Sequence, residues 1–172
     1  QAIGWSATTD AQPRLTAASV IDSAAVVNPA AATAFNQNGT VFANTPVVGT
    51  TIRVSGKIRK TAQGGADQST YGVRIGASVL GTHQQTAAAT ALITFEAEVT
   101  FRAVGAGGSL EWWIRFTQTP LAGGAVVATT SLPVNALALD TTADRLVEAT
   151  AVRSVDDAAN SQILANIDVF VS

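Results

Sequence analysis

Residues 92–118 read LITFEAEVTFRAVGAGGSLEWWIRFTQ, two runs of strict apolar/polar alternation that meet at Gly-Ala-Gly-Gly-Ser, residues 105–109. In an extended chain successive side chains point to opposite faces, so alternation of this kind predicts strands, and the glycine-rich break between them predicts a long β-hairpin. Ile93, Phe95, Ala97, Val99 and Phe101 share one face of the first strand; Thr94, Glu96, Glu98, Thr100 and Arg102 share the other. In the second strand Leu110, Trp112, Ile114 and Phe116 oppose Glu111, Trp113, Arg115 and Thr117. An apolar sheet face must be covered, so the hairpin calls for a second layer and a two-sheet β-sandwich. It carries no catalytic group.

Working outward, residues 52–59 repeat the pattern: Ile52, Val54, Gly56 and Ile58 alternate with Arg53, Ser55, Lys57 and Arg59. This strand has a basic outward face, for which Glu96, Glu98 and Glu111 on the hairpin are the expected cross-strand partners, each pair worth up to about 1 kcal/mol. After a loop over 61–69, Tyr71, Val73 and Ile75 mark another strand, with Val79-Leu80 expected as a short continuation past Gly76 and residues 82–90 as a polar link into the hairpin. Strands follow around Val126-Val127, Leu137–Leu139, 145–152 and 163–171, the last two joined by a polar turn over 154–160.

The first 46 residues differ, being rich in Ala, Thr, Asn and Pro, with a strong turn signal in NQNGT at 36–40. They are expected to form an N-terminal arm and the first strand or strands. Residues 1–12 around Trp5 are read as a clasp on a neighbouring subunit and 41–48 as part of the sandwich, with 47–172 as the sandwich domain. A helical reading of 15–27 fails on its β-branched Val20, Ile21, Val26 and Val27 and on Pro29. The fold class expected is therefore all-β: an antiparallel two-sheet β-sandwich, jelly-roll-like, with an irregular N-terminal arm.

Composition bounds the function. A chain of 172 residues suits one sandwich domain. It is 47% hydrophobic but only 6% aromatic, so alanine and valine fill much of a core expected to be thin-walled. Ten Lys and Arg against twelve Asp and Glu give a net charge of −2, with the basic residues scattered from Arg14 to Arg153, which argues against nucleic acid as a partner. Without cysteine there is neither a disulfide framework nor a thiolate metal site. No apolar run approaches the roughly 18 residues of a membrane span, and a soluble chain is expected.

Residues with chemical potential each have a plainer use. His83, the only histidine, has no carboxylate within ten residues and is expected to be a solvated loop imidazole rather than a ligand. Glu96 and Glu98 are same-face neighbours on a strand, roughly 6.5–7 Å apart, a spacing that suits glycoside chemistry but equally an ion-pair face. Asp156 and Asp157 sit in a turn, where aspartate is locally favoured. The glycine pairs and clusters at 64–65, 105–108 and 123–124 precede no helix and read as turns, not phosphate cradles. Trp112 and Trp113 must point to opposite faces. If Trp112 joins the core, Trp113 projects outward, to anchor a subunit, to lie under the chain's own arm, or to stack on a sugar. The interface or ligand candidates are Trp113, Trp5, Arg115 and Tyr71; no catalytic, cofactor or metal residue is expected.

The order of strands carries a resemblance. TIRVSGKIRKT with residues 53–59, the VRIG of 73–76, FEAEVTFRAVG at 95–105, the stretch from DTT at 140 to 152, and NSQILANIDVFV at 160–171 are similar to β-sandwich domains of tailed-bacteriophage virion proteins. Those show an "RVRGTI" strand, an "LRIGG" strand, an acidic "FELEATVTVRSVG" strand, a "DTT…LDLTATW" segment and a closing "NSITL" strand. The likeness runs from residue 50 to the end; VEATAV lacks the usual aromatic and Gln162 is an insertion. It implies a non-enzymatic, jelly-roll-like module, homotrimeric, carried on the particle as a capsid decoration or tail appendage in contact with major capsid or tail proteins. The alternative it implies is a receptor-binding, lectin-like module of a tail or head fibre that meets a host surface glycan. No active-site residue transfers.

Overall fold

The computed structural model of the chain describes residues 23, 25–27, 31–60, 69–85, 90–131, 136–153 and 161–171. Its elements are all strands: β1 (Val26–Val27), β2 (Thr33–Val41), β3 (Thr51–Lys60), β4 (Ser69–Ile75), β5 (Ser78–Gln85), β6 (Ala91–Ala103), β7 (Ser109–Pro120), β8 (Val127–Ser131), β9 (Leu137–Ala138), β10 (Arg145–Arg153) and β11 (Ser161–Val171). They form a seven-stranded sheet in the order β1-β11-β3-β6-β7-β8, with β9 also on β7, and a four-stranded sheet in the order β2-β10-β4-β5. Every pairing is antiparallel. The protein is an all-β, two-sheet sandwich. The two last long strands return to the first two, β10 beside β2 in the small sheet and β11 beside β3 in the large one.

The β6–β7 hairpin forms as its alternation dictates. Ala91, Ile93, Phe95, Ala97, Val99 and Phe101 of β6 are at most 3% exposed, and Leu110, Ile114 and Phe116 of β7 are fully buried. Its turn is closed by a Gly108 N–H to Gly105 carbonyl bond, with Gly105 at φ 100°, a conformation a side chain would strain. Phe95 lies over Gly56 of β3, where an added Cβ would come within 2.3 Å of the ring. The absent side chain thus makes room for an aromatic one. Five of the ten aromatic residues fill the interior: Tyr71, Phe35, Phe95, Phe101 and Phe116 are among the largest fully buried side chains.

Three local readings are corrected. Asn36–Thr40 lies inside β2 and is not a turn between elements. Its turn-forming residues are absorbed as an irregularity, since Glu148 pairs with Asn38 and Thr150 with Ala34, so three residues of β2 face Ala149 alone. Val79-Leu80 does not continue β4: Gly76, at φ 57°, reverses the chain, and β5 runs back antiparallel to it with Ile75 opposite Ser78. Residues 82–85, expected in a link, belong to that returning strand.

Candidate functional site

The outward face of the large sheet carries the side chains the core cannot use. Across four strands one row reads Phe170 (β11), Arg53 (β3), Glu98 (β6) and Trp113 (β7); the next reads Asp168, Ser55, Glu96 and Arg115, ending at Thr130 of β8. Trp113 is 36% exposed, while Trp112 on the opposite face packs against the core and donates its indole N–H to the Leu80 carbonyl. Ser55 is smaller than its neighbours, so the face dips there. The depression has a volume of about 410 Å³ and is lined by Arg53, Ser55, Glu96, Glu98, Trp113 and Phe170. A second, of about 160 Å³, shares Glu96 and continues past Arg115 to Thr94 and Thr117.

The two rows of this face carry charges of both signs. Arg53 Nε donates to Glu98 Oε2 at 3.2 Å, and Glu96 stands opposite Arg115 in the β6–β7 register. The expected ion pairing of β3 with the hairpin is thus present for Arg53. Lys57 instead stands between Thr94 and Asn166, and Arg59 between Leu92 and Ile163. Glu111 pairs with Arg102 across the hairpin rather than with β3.

The other candidates fall elsewhere. Tyr71 is not a surface residue: it faces the core with no exposure, and its hydroxyl donates to Gln85 Oε1 at 3.4 Å, because odd-numbered residues of β4 point inward with Val73 and Ile75. His83 is not a solvated loop residue either. It is 2% exposed on β5, stacked on Phe116 with ring centroids 5.9 Å apart, with Nδ1 bonded to Thr129 Oγ1 at 2.9 Å and Nε2 to Gln118 Oε1 at 3.0 Å. Both ring nitrogens are engaged, and the imidazole ties the small sheet to β7 and β8 of the large one. Nothing local in GTHQQ marks this, since both partners come from strands more than thirty residues away. Trp5, Asp156 and Asp157 lie outside the described residues.

A separate cleft of about 350 Å³ opens where the β4–β5 and β6–β7 turns meet, lined by Ser78, Gly107, Gly108, Asp140 and Arg145 among others. Its carboxylate is already committed: Asp140 accepts bonds from the Thr142 hydroxyl and N–H on Oδ1 and from Arg145 Nη2 on Oδ2. The Thr142 bonds, with the Arg145 charge adding to them, hold Asp140 below its ordinary 3.8. A carboxylate lowered in the folded state stabilises it fully above its unfolded value, and that stabilisation is lost as pH falls through the lowered one. This is a loop clasp. Among the described residues no cluster of three or more His, Cys, Asp or Glu is placed to hold a metal ion, and no helix is long and apolar enough to cross a membrane.

One further feature escaped the sequence reading. Every residue of 121–128, LAGGAVVA, is exposed at the tip of the β7–β8 connection, with Leu121 at 60%, Val126 at 59% and Val127 at 45%. The run has no charged residue and leads straight into β8, an edge strand of the large sheet. The sequence marks only a turn at Gly123-Gly124 and a strand at Val126-Val127 there.

No protein-family model and no curated protein matches the sequence. Among solved structures the chain is similar to a winged bean acidic lectin determined with methyl-α-D-galactose, at 10% identity and a TM-score of 0.35, covering 81% of this chain and 78% of that one.

Proposed function

We propose that this chain is a non-enzymatic structural component of a tailed-phage particle, a homotrimer displayed on the virion surface as a capsid decoration or tail-appendage module. The observation that carries the assembly part is the exposed tip at 121–128. Three large aliphatic side chains held in water on one uncharged turn gain from being covered, at about 25 cal/mol per Å² of apolar surface removed from water. The adjoining β8 presents five residues of edge without charge, proline or bulge, and such an edge accepts another chain. The particle part rests on the resemblance along residues 50–172.

The test is a mass measurement by light scattering at micromolar concentration, which is expected to give three times the chain mass. Val126→Glu, which puts a charge on the tip without touching the core, should shift the population toward monomer. A stable monomer with a high melting temperature would refute the assembly reading. Density for the chain on an intact particle would decide between head and tail.

A further inference from the structure

We infer that the trough on the outward face of the large sheet is a binding site for a neutral, pyranose-based oligosaccharide, with Trp113 as its stacking platform. The inference gives the receptor-binding alternative a definite site and stands apart from the assembly reading, which uses the β7–β8 tip.

Three features select this ligand class. First, the trough is both sized and shaped for a small extended molecule. Its larger part, about 410 Å³, falls within the about 300–1,000 Å³ usual for small-ligand sites, and the smaller depression that shares Glu96 extends it along the strands. Phe170 and Trp113 stand in one row three strand intervals apart, about 14 Å, so an aromatic ring flanks each side.

Second, the polar groups between the rings carry both signs of charge. The Arg53–Glu98 pair presents a guanidinium and a carboxylate side by side, and Glu96 faces Arg115 in the next row. Ring hydroxyls both donate and accept, so they can use both members of such a pair. A polyanion would meet Glu96 and Glu98 on this face, and a polycation Arg53 and Arg115. Third, the sheet's main-chain donors and acceptors are consumed in the plane by pairing with neighbouring strands, leaving an extended peptide no backbone bonds on this face. Side-chain bonds from below and an aromatic plane alongside suit a sugar, whose C–H face stacks while its hydroxyls point sideways.

The probes are cellotriose, maltotriose and tri-N-acetylchitotriose at millimolar concentration, followed by saturation-transfer NMR. At least one should receive saturation, strongest on its ring protons. Trp113→Ala should cut the affinity at least tenfold and Trp113→Tyr only severalfold, while thermal melting reports whether each variant is folded. Glu98→Gln should weaken binding without abolishing it. Val126→Glu should leave it unchanged even where it alters the mass, so loss of assembly and loss of sugar binding are read separately. Absence of transfer to all three sugars, undiminished transfer in folded Trp113→Ala, or preferential binding of heparin as a polyanion would each overturn the inference.

Discussion

The two long-strand hairpins of this sandwich solve the same packing problem in opposite ways. Along most of its length the β6–β7 hairpin buries hydrocarbon and aromatic rings and puts its polar side chains in water; Gln118, near the end of β7, is the buried exception. The β4–β5 hairpin buries Ser69, Tyr71, His83 and Gln85; Tyr71 and Gln85 bond within the hairpin, while Ser69 and His83 meet partners across the gap between the sheets. Further buried polar residues gather at the same end: Gln162 of β11 reaches across to Ser69 with its amide at 3.3 Å, and Lys60 of β3 is 2% exposed. The first hairpin is held by area removed from water, which is indifferent to direction. The second depends on particular atoms meeting, because a buried polar group without its partner costs about 1–3 kcal/mol. The comparison teaches that one sandwich can be held by non-directional burial in one region and by specific polar pairing in another.

The sharpest way to break the comparison is in the apolar hairpin. Phe95→Ala removes a buried ring that fills the space over Gly56 and packs beside Phe116 at 6.2 Å, and should destabilise the fold by about 3–5 kcal/mol in urea unfolding. A loss below about 1 kcal/mol would mean that this core is loosely packed. In the polar hairpin, His83→Leu keeps apolar bulk against Phe116 but strips Gln118 and Thr129 of a partner. It should cost about 1–3 kcal/mol, and His83→Leu combined with Gln118→Leu should recover part of it, a recovery an apolar site would not show. Smallest is the outward face: Glu98→Gln breaks a partly exposed pair with Arg53 and should cost under about 1 kcal/mol. A loss several times larger would give these carboxylates a role beyond the surface.

These differences also explain what was legible beforehand. Alternation in residues 93–101 and 110–117 placed the inward residues of those two runs correctly, because burial of apolar side chains is a property of each residue and its period. The same reasoning found Trp113 on the outward face and anticipated an Arg53–Glu98 pairing. It misplaced His83, whose burial depends on partners contributed by β7 and β8, and it offered Tyr71 as an interface or ligand candidate although its alternation with Val73 and Ile75 already turns it inward. It also took Asn36–Thr40 for a turn, where pairing with β10 outweighed local preference and left only a bulge.

By itself, then, the sequence determined the fold class, the β6–β7 hairpin and its two faces, and the polar character of the large sheet's outer surface, all of which follow from short-range periodicity. The tertiary structure alone decided which strands neighbour one another. With that came the trough around Ser55, the imidazole clamp between the sheets and the exposed tip at 121–128. Each depends on side chains distant in the chain arriving, or failing to arrive, at the same place, and no local pattern encodes that meeting.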